Sequence, residues 1–467
     1  MAFSSISFLF YFLPLFFLVY WLVPARWKNA ILAAGSLFFY AWGDLRSVPL
    51  LALSILVTYA LGRAMQPDAP ARRKKLVLIL GLVFHLALLV AFKYADFFFG
   101  SLLPLPELAL PLGISFYTFH AMSYLIDVYR GSAPPQKNLL QLSAYLAMFP
   151  KLVMGPIAPY HALSASLSRR ELTVEDSAAG CFRFAVGLGK KALLADTLAG
   201  LVSGIWGNLS ELTVLGAWLG LFGYALQLYF DFSGYSDMAI GLGRMLGFRL
   251  PENFRYPYLC SSVSDFWRRW HVSLGAWFRE YLYFPLGGSR RDVLCTLRNL
   301  LIVWLATGLW HGASWNYVLW GLYFGILICA EKLLAPILRG RVKTQLPAKL
   351  YRPVSLLLAL LGWVLFRAPD LPAAGQYLSA LFGGAAAVSA QARLYLHDYL
   401  PALLLGCIGA TPLISRLAGK LNARLRPSVQ TITQTVILLA LLACSTLWLL
   451  NGSFQSFIYA QFEEAGI

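Results

Sequence analysis

The chain has 467 residues, of which 59% are hydrophobic and 13% are charged, and its formal net charge is +17. A water-soluble domain needs more polar surface than this composition supplies, so the sequence predicts an integral membrane protein. The positive charge does not indicate nucleic-acid binding, because the cations fall in short loops between apolar runs, where they orient helices and contact anionic lipid.

The first apolar run extends from Ser7 to Val23. No basic residue precedes it and no small-residue cleavage site follows it, so we expect a retained spanning helix rather than a signal peptide. Arg26 and Lys28 follow this run, and the positive-inside rule places that end in the cytoplasm and the N-terminus outside. The next loops agree with this orientation: basic residues 71–75 fall inside, cation-free residues 97–113 outside, and residues 129–138 inside.

Apolar runs of about 20 residues, enough to cross roughly 30 Å of hydrocarbon, recur along the chain, and we count roughly ten to twelve candidate spans. We find no internal repeat and no soluble domain, so the sequence predicts one integral-membrane domain over residues 1–467. The cysteines show no metal-ligand or redox spacing, so we expect neither a disulfide framework nor a metal site. They are Cys181, Cys260, Cys295, Cys329, Cys407 and Cys444.

The pattern changes between Met148 and Arg291, where apolar runs become short and polar residues enter them. Residues 149–163, FPKLVMGPIAPYHAL, are too rich in proline for a regular helix. We therefore expect re-entrant or interfacial elements in this middle portion.

Residues 224–243, YALQLYFDFSGYSDMAIGLG, place Asp231 and Asp237 in an apolar run. An aspartate at the centre of a membrane helix costs roughly 2.5–3.5 kcal/mol, so each carboxylate needs a cation or hydrogen-bond donors. We favour structural ion pairing, with Arg268, Arg269 or a protonated histidine as the partner.

Residues 261–288, SSVSDFWRRWHVSLGAWFREYLYFPLGG, begin with Ser262 and Asp265 in capping-box spacing. The spacing predicts one helix that lies along the membrane interface, with an apolar stripe from Phe266 to Tyr281. His271 falls at the edge of this stripe. Arg268 and Arg269 follow Trp267 and lie on the polar side of this helix. They either contact lipid headgroups or bind a phosphate-bearing cosubstrate.

Residues 300–334, LLIVWLATGLWHGASWNYVLWGLYFGILICAEKLL, are almost wholly apolar around His311. A continuous helix of this length would measure about 52 Å, so we expect a break, at Gly308 and Gly312. An arm from Arg298 to Trp310 covers about 20 Å, which would leave His311 within the membrane, lining a cavity. The alternatives are a functional histidine and a buried one that bonds to a neighbouring helix.

Three stretches closely resemble the membrane-bound O-acyltransferase (MBOAT) family: YFDFSGYSDMAIGLGRMLGF (229–248), residues 251–288 beginning PENFRYPYL, and GLWHGASWNYVLWG (308–321). Residues 110–131 and 149–157 are similar to its bacterial polysaccharide-acetylating branch. The resemblance implies an all-α polytopic membrane fold. It further implies a ring of transmembrane helices, with re-entrant and interfacial helices, around a central funnel.

The resemblance implies an O-acetyltransferase that moves an acetyl group from a cytoplasmic thioester, acetyl-CoA, to an extracytoplasmic polysaccharide such as alginate. His311 of the WHG motif would be the catalytic base, and His271 would orient the donor or assist proton movement. The residues assigned to substrate or donor binding are Arg268, Arg269, Trp310, Asn316, Asp231 and Asp237. Acetyl-CoA is a cosubstrate, and no bound cofactor or metal is expected.

The same resemblance implies a multi-pass protein of the bacterial inner membrane, surrounded by lipid. It would work with a periplasmic hydrolase-like acetyltransferase or a polysaccharide-synthesis complex. Cellulose or peptidoglycan acetylation would leave the same motifs. A transporter or flippase for a polar or anionic substrate is the rival class, and a membrane scaffold would have neither activity. Ala460 departs from the branch pattern, where an aromatic residue is usual.

Overall fold

The computed structural model describes residues 2–100, 109–341, 346–451 and 457, so Ala460 lies outside the described residues. Every regular element in these ranges is helical, which confirms the predicted all-α fold class. The α-helices of the first half are α1 (Leu13–Leu22), α2 (Lys28–Gly43), α3 (Val48–Ala64), α4 (Ala71–Leu89), α5 (Ala95–Phe99), α6 (Ile114–Arg130), α7 (Leu139–Leu146), α8 (Phe149–Leu152), α9 (Tyr160–Ser168), α10 (Val174–Gly189) and α11 (Asp196–Trp206). Those of the second half are α12 (Val214–Met245), α13 (Val263–Arg269), α14 (Val272–Phe278), α15 (Val293–His311), α16 (Trp315–Arg341), α17 (Leu346–Arg367), α18 (Leu371–Leu381), α19 (Ala390–Gly409), α20 (Leu413–Asn422) and α21 (Pro427–Leu450).

Several of these helices adjoin wider π-helical turns, which often mark functional sites in helical proteins. The π-helical segments are Phe8–Phe12, Val90–Tyr94, Lys190–Ala195 and Arg279–Tyr283. After the four residues of α8, the proline-rich stretch stays non-helical until Tyr160, as its sequence predicts.

The described residues form two compact units. The first comprises residues 2–187 and 235–252, and the second comprises residues 188–234, 253–451 and 457. The prediction of a single catalytic domain over residues 1–467 stays a prediction.

Aromatic side chains fill the core of each unit. In the first unit, the ring of Phe149 meets those of Phe12, Phe16 and Phe39 at centroid distances of 5.5, 5.2 and 5.6 Å. Buried aromatic rings contribute large apolar areas, and edge-to-face pairs add to that contribution.

In the second unit, half-buried Trp267 of α13 packs against aromatic residues of three helices. Its indole meets Trp304 of α15 at 4.8 Å, Phe324 of α16 at 4.8 Å and Trp363 of α17 at 6.2 Å. These contacts fix the segment that carries His271 against three long helices.

Four described helices are long and apolar enough to cross a membrane: Ala71–Phe99, Val293–His311, Trp315–Leu334 and Pro427–Leu450. A fifth crossing is available if α19 and α20, which bend by 64°, form one broken span. The sequence-based count of candidate spans is higher because polar residues and helix breaks divide several apolar runs into shorter helices. The first run, for example, gives the shorter helix Phe8–Leu22.

Helices α15 and α16 form a close pair around the break at Gly312. The predicted break is confirmed at Gly312, since α15 ends at His311 and α16 begins at Trp315, whereas Gly308 lies inside α15. The predicted start of the arm is wrong, because Asp292 caps α15 by accepting a bond from the Cys295 N–H at 2.7 Å. The resulting helix of 19 residues measures about 28 Å, close to the thickness of the hydrocarbon core.

Candidate active site

The segment that carries His271 is not the single helix that its periodicity predicts. Helix α13 begins as expected, with the Ser262 hydroxyl accepting a bond from the Asp265 N–H at 3.0 Å. It ends at Arg269, and α14 starts only at Val272. Between them His271 adopts a left-handed backbone conformation with φ of 45°. Few non-glycine residues adopt this conformation, so a particular side-chain position is being held here.

A short loop clamps this break from the other side. The Arg255 N–H donates to the Arg269 carbonyl at 2.9 Å, and the Val272 N–H donates to the Asn253 carbonyl at 3.0 Å. These bonds satisfy backbone groups that the interrupted helix leaves without helical partners. They offset the cost of the left-handed residue at the centre.

The imidazole of His271 is buried, with 2% of its surface exposed. Its Nδ1 lies 3.1 Å from Asn253 Oδ1. The ring of Phe232 meets the imidazole edge-on at 4.7 Å. Burial lowers the pKa of His271 to about 3, so the ring is neutral near neutral pH.

His311 is the last residue of α15 and is 9% exposed. Aromatic rings surround its imidazole, with centroids at 4.9 Å for Trp320, 5.1 Å for Phe366 and 6.5 Å for Tyr317. The α15–α16 break therefore delivers the histidine into an aromatic enclosure shared by α16 and α17.

Trp310 brings the two histidines into one site. Its ring centroid lies 6.2 Å from that of His271 and 5.1 Å from that of His311. No feature of the sequence predicts that both histidines lie next to Trp310. Asn316, another predicted site residue, donates from its side-chain amide to the Ala368 carbonyl at 2.7 Å and so ties the start of α16 to the end of α17.

Arg268 and Arg269 both face Asp265 of their own helix. Arg269 Nε lies 3.0 Å from Asp265 Oδ2, and Arg268 Nη2 lies 3.6 Å from Asp265 Oδ1. The Arg268 side chain is 68% exposed, so its guanidinium remains accessible to a ligand. The Asp265 carboxylate compensates only part of the charge of this pair.

Asp231 forms a structural ion pair, as predicted, but with a partner that the sequence did not suggest. Lys191 Nζ lies 2.6 Å from Asp231 Oδ1 and 2.7 Å from Asp196 Oδ1. All three side chains are at most 4% exposed. Buried charges of this kind are stable only when they are paired, so the Lys191 ammonium accounts for the presence of the Asp231 and Asp196 carboxylates at this buried position. Neither Arg268 nor Arg269 forms the predicted ion pair with Asp231.

Asp237 is also ion-paired, and it belongs to the first unit. Arg183 donates to Asp237 Oδ1 from Nε at 3.0 Å and from Nη2 at 2.8 Å. The same guanidinium donates to both oxygens of Glu252 at 2.5 Å. Arg183, rather than Arg268, Arg269 or a histidine, therefore compensates this carboxylate.

Sequence reasoning missed several residues that position the site. Glu331 of α16 accepts bonds from the Val263 and Ser264 N–H groups at 2.6 and 2.8 Å, and so caps α13. Asn253 holds His271 from a loop. The position of Lys191 could have been used for a prediction, since an ionisable residue in an apolar run needs an ion-pair or hydrogen-bond partner. Glu331 gave the same signal within its apolar run.

Comparison with known proteins gives a family match over most of this chain. Residues 36–351 match the sequence model of the MBOAT, membrane-bound O-acyltransferase family. The matched range contains both histidines and Trp310.

Three relatives illustrate the likeness. The chain is 42% identical over 398 residues to the probable alginate O-acetylase AlgI of Azotobacter vinelandii, covering 82% of this chain and 78% of the relative. It is 43% identical over 394 residues to the probable alginate O-acetylase AlgI of Pseudomonas aeruginosa, covering 82% and 75%. It is 35% identical over 422 residues to the peptidoglycan O-acetyltransferase of Helicobacter pylori, covering 82% and 80%.

Proposed function

Since this chain belongs to the membrane-bound O-acyltransferase family and is an O-acetyltransferase, we propose that it moves an acetyl group from cytoplasmic acetyl-CoA to a hydroxyl of an extracytoplasmic polysaccharide. The observation that carries this proposal is that the rings of His271 and His311 both lie next to that of Trp310. Two imidazoles at one buried site supply the groups that acyl transfer to a hydroxyl requires.

His311 acts as the general base. It removes the proton of the acceptor hydroxyl as the oxygen attacks the thioester carbonyl. The carbon–sulfur bond then breaks, and the leaving thiolate of CoA takes up that proton from His311. The neutral form of an imidazole accepts a proton on its free ring nitrogen and can return it in the next step. Such a base contributes roughly 10²–10⁴-fold in rate.

His271 orients the acyl donor or assists the proton transfer. Asn253 Oδ1 can only accept a hydrogen bond, so Nδ1 of His271 carries the proton. Nε2 is then the basic nitrogen of this ring. The aromatic enclosure around both rings excludes water, which would otherwise compete with the acceptor hydroxyl for the thioester.

Arg268 and Arg269 bind the phosphates of the donor through charge-assisted hydrogen bonds. The exposure of Arg268 and its long contact with Asp265 support this role. Trp310 and Asn316 shape the binding site, Trp310 by its contact with both histidines and Asn316 by fixing the start of α16. Asp231 and Asp237 are held in ion pairs with Lys191 and Arg183, so we assign neither to contact with substrate.

The likeness to the probable alginate O-acetylases supports alginate as the acceptor, and the likeness to the Helicobacter pylori peptidoglycan O-acetyltransferase supports peptidoglycan as the alternative. Cellulose would require the same chemistry. The enzyme would reside in the bacterial inner membrane and act with a periplasmic hydrolase-like acetyltransferase or a polysaccharide-synthesis complex. A hydroxyl on that partner protein is a second possible acceptor.

The test is acetyl transfer from radiolabelled acetyl-CoA to an added polysaccharide acceptor by the purified full-length protein, comparing wild type with His311→Ala. His397→Ala is the matched control, since His397 is exposed on α19. We expect turnover by wild type and control, and loss of roughly 10²-fold or more in His311→Ala. Equal turnover by His311→Ala would remove His311 from the mechanism. Substrate movement without thioester consumption would indicate the transporter class instead.

A further inference from the structure

Arg367 is the last residue of α17, and it lies partly buried without an ion pair or hydrogen bond to any other described residue. Its guanidinium carbon lies 5.7 Å from the ring centroid of Trp206. It also interacts electrostatically with the hydroxyls of Tyr224, Tyr317 and Tyr377. An arginine in this setting has lost part of its hydration without gaining an anion, which is costly unless a ligand supplies one.

Two neighbouring side chains also carry a polar group that has no hydrogen-bond partner among the described residues. Trp206 is 7% exposed and Tyr224 is 1% exposed. The Nε1 of Trp206 and the hydroxyl of Tyr224 are buried without a hydrogen-bond partner among the described residues. Their rings are neighbours, with centroids 6.4 Å apart.

These three groups share one chemistry. A guanidinium and an indole N–H can only donate hydrogen bonds, and a tyrosine hydroxyl can donate one. The carboxylate of Asp231 also has an electrostatic effect on Tyr224, but it is ion-paired with Lys191 at 2.6 Å. The cluster of Arg367, Trp206 and Tyr224 therefore offers donors and positive charge to an acceptor that carries negative charge.

The cluster lies next to the proposed base. Tyr317 interacts electrostatically with Arg367, and its ring lies 6.5 Å from that of His311. Phe366, which precedes Arg367 in the chain, has its ring 5.1 Å from the same imidazole. A ligand held by Arg367 would sit within reach of the reacting hydroxyl and its base.

Charge patterning places the cluster on the acceptor side of the membrane. Helix α15 follows Arg290 and Arg291, which the positive-inside rule assigns to the cytoplasm, so α15 runs outward and ends at His311. The ring of Phe366 lies 5.1 Å from that of His311, so Arg367, the next residue, lies at the same end. The connection after Trp206, residues 207–213, contains no cation, as expected outside.

We propose that Arg367, Trp206 and Tyr224 bind a carboxylate of the extracytoplasmic acceptor, so that this enzyme selects an acidic polysaccharide over a neutral one. The inference rests on the proposed function, and it goes further by naming the chemical class of the acceptor and the residues that recognise it. A guanidinium pairs with a carboxylate through two parallel N–H bonds, which Trp206 and Tyr224 extend with neutral donors.

The test measures binding of an oligouronate and of a neutral cello-oligosaccharide of equal length to the full-length protein in detergent. We expect wild type to bind the oligouronate about tenfold more tightly, and Arg367→Gln to abolish that preference. Arg367→Lys should keep part of it, since an ammonium provides charge without the bidentate fork. Arg393→Gln, at an exposed arginine of α19, is the control that should leave the preference intact.

Tyr224→Phe separates recognition from folding. The hydroxyl that it removes has no hydrogen-bond partner among the described residues, so this variant should unfold at the same temperature as wild type. It should nevertheless bind the oligouronate more weakly than wild type does. Equal affinities of wild type and Arg367→Gln for the oligouronate would overturn the proposal. So would an Arg367→Gln defect confined to binding of CoA, which would assign the cluster to donor phosphates. Acetyl-CoA turnover of the same wild-type preparation reports on the proposed function separately.

Discussion

The imidazole of His271 and the side chain of Asn253 form a buried pair, with Nδ1 and Oδ1 3.1 Å apart. The same oxygen accepts bonds from the backbone N–H and the hydroxyl of Ser273 at 3.2 and 2.9 Å. Three donors thus converge on one acceptor, which fixes both the ring orientation and the tautomer of His271. Asn253 acts on the reaction through His271 and is a positioning residue.

Replacing Asn253 by alanine should lower kcat about 10- to 100-fold with little change in KM for acetyl-CoA, because the imidazole loses its orientation while the donor contacts remain. Steady-state turnover with radiolabelled acetyl-CoA measures both constants. The Asn253→Asp variant keeps an acceptor oxygen in place and should recover part of kcat.

Asn208→Ala is the matched control for this pair of variants, since Asn208 lies in a loop and accepts a bond only locally, from Ser210 at 2.8 Å. Failure of Asn253→Asp to exceed Asn253→Ala in kcat would contradict the positioning role and leave a packing role for the amide.

Acid should destabilise the fold through His271. Its pKa is about 3 in the folded protein because of burial, and about 6.5 when unfolded. The unfolded state therefore binds more protons between these values, so the stability that His271 contributes is complete above pH 6.5 and is lost as the pH falls towards 3. Thermal unfolding midpoints recorded across this range should fall more steeply in wild type than in His271→Asn. Asparagine suits the comparison because it tolerates the left-handed backbone. Parallel curves for the two proteins would refute this assignment.

The sequence predicts the membrane class, the helical fold, the break beside His311 and the need of Asp231 and Asp237 for partners. Each of these follows from local composition. The partners themselves are set by tertiary packing: Lys191 is 40 positions from Asp231, and Arg183 is 54 positions from Asp237. The left-handed His271 has no periodic signal, because hydrophobic spacing continues across it. The ring of helices around a funnel stays a prediction from the resemblance.

Lys191 and Asp231 should respond unequally to substitution. Lys191→Met leaves Asp196 and Asp231 buried without their shared ammonium, whereas Asp231→Asn leaves the Lys191–Asp196 pair intact at 2.7 Å. Removing one partner of a buried ion pair costs about 3–5 kcal/mol, so Lys191→Met should greatly reduce the amount of folded protein in the membrane. Asp231→Asn should cost clearly less. Yield and thermal unfolding after membrane extraction give the comparison, and equal losses in the two variants would argue against a shared ammonium.

The close approach of α15 and α16 makes Gly308 and Gly321 intolerant of a side chain. A Cβ on Gly308 would lie 2.4 Å from the Tyr317 carbonyl oxygen, and a Cβ on Gly321 would lie 2.4 Å from that of Trp304. These obstacles are backbone atoms, so Gly308→Ala must push the helices apart, at a cost of about 1–3 kcal/mol. Because His311 ends α15, the shift should also lower acetyl turnover, by about 10²-fold for a 1 Å displacement of the base.

Gly375→Ala is the control: nothing lies within 4 Å of a Cβ there, and alanine favours the helix by about 1 kcal/mol. Its unfolding temperature should equal or exceed that of wild type at full turnover. Wild-type turnover by Gly308→Ala would mean that the position of His311 does not depend on this helix contact.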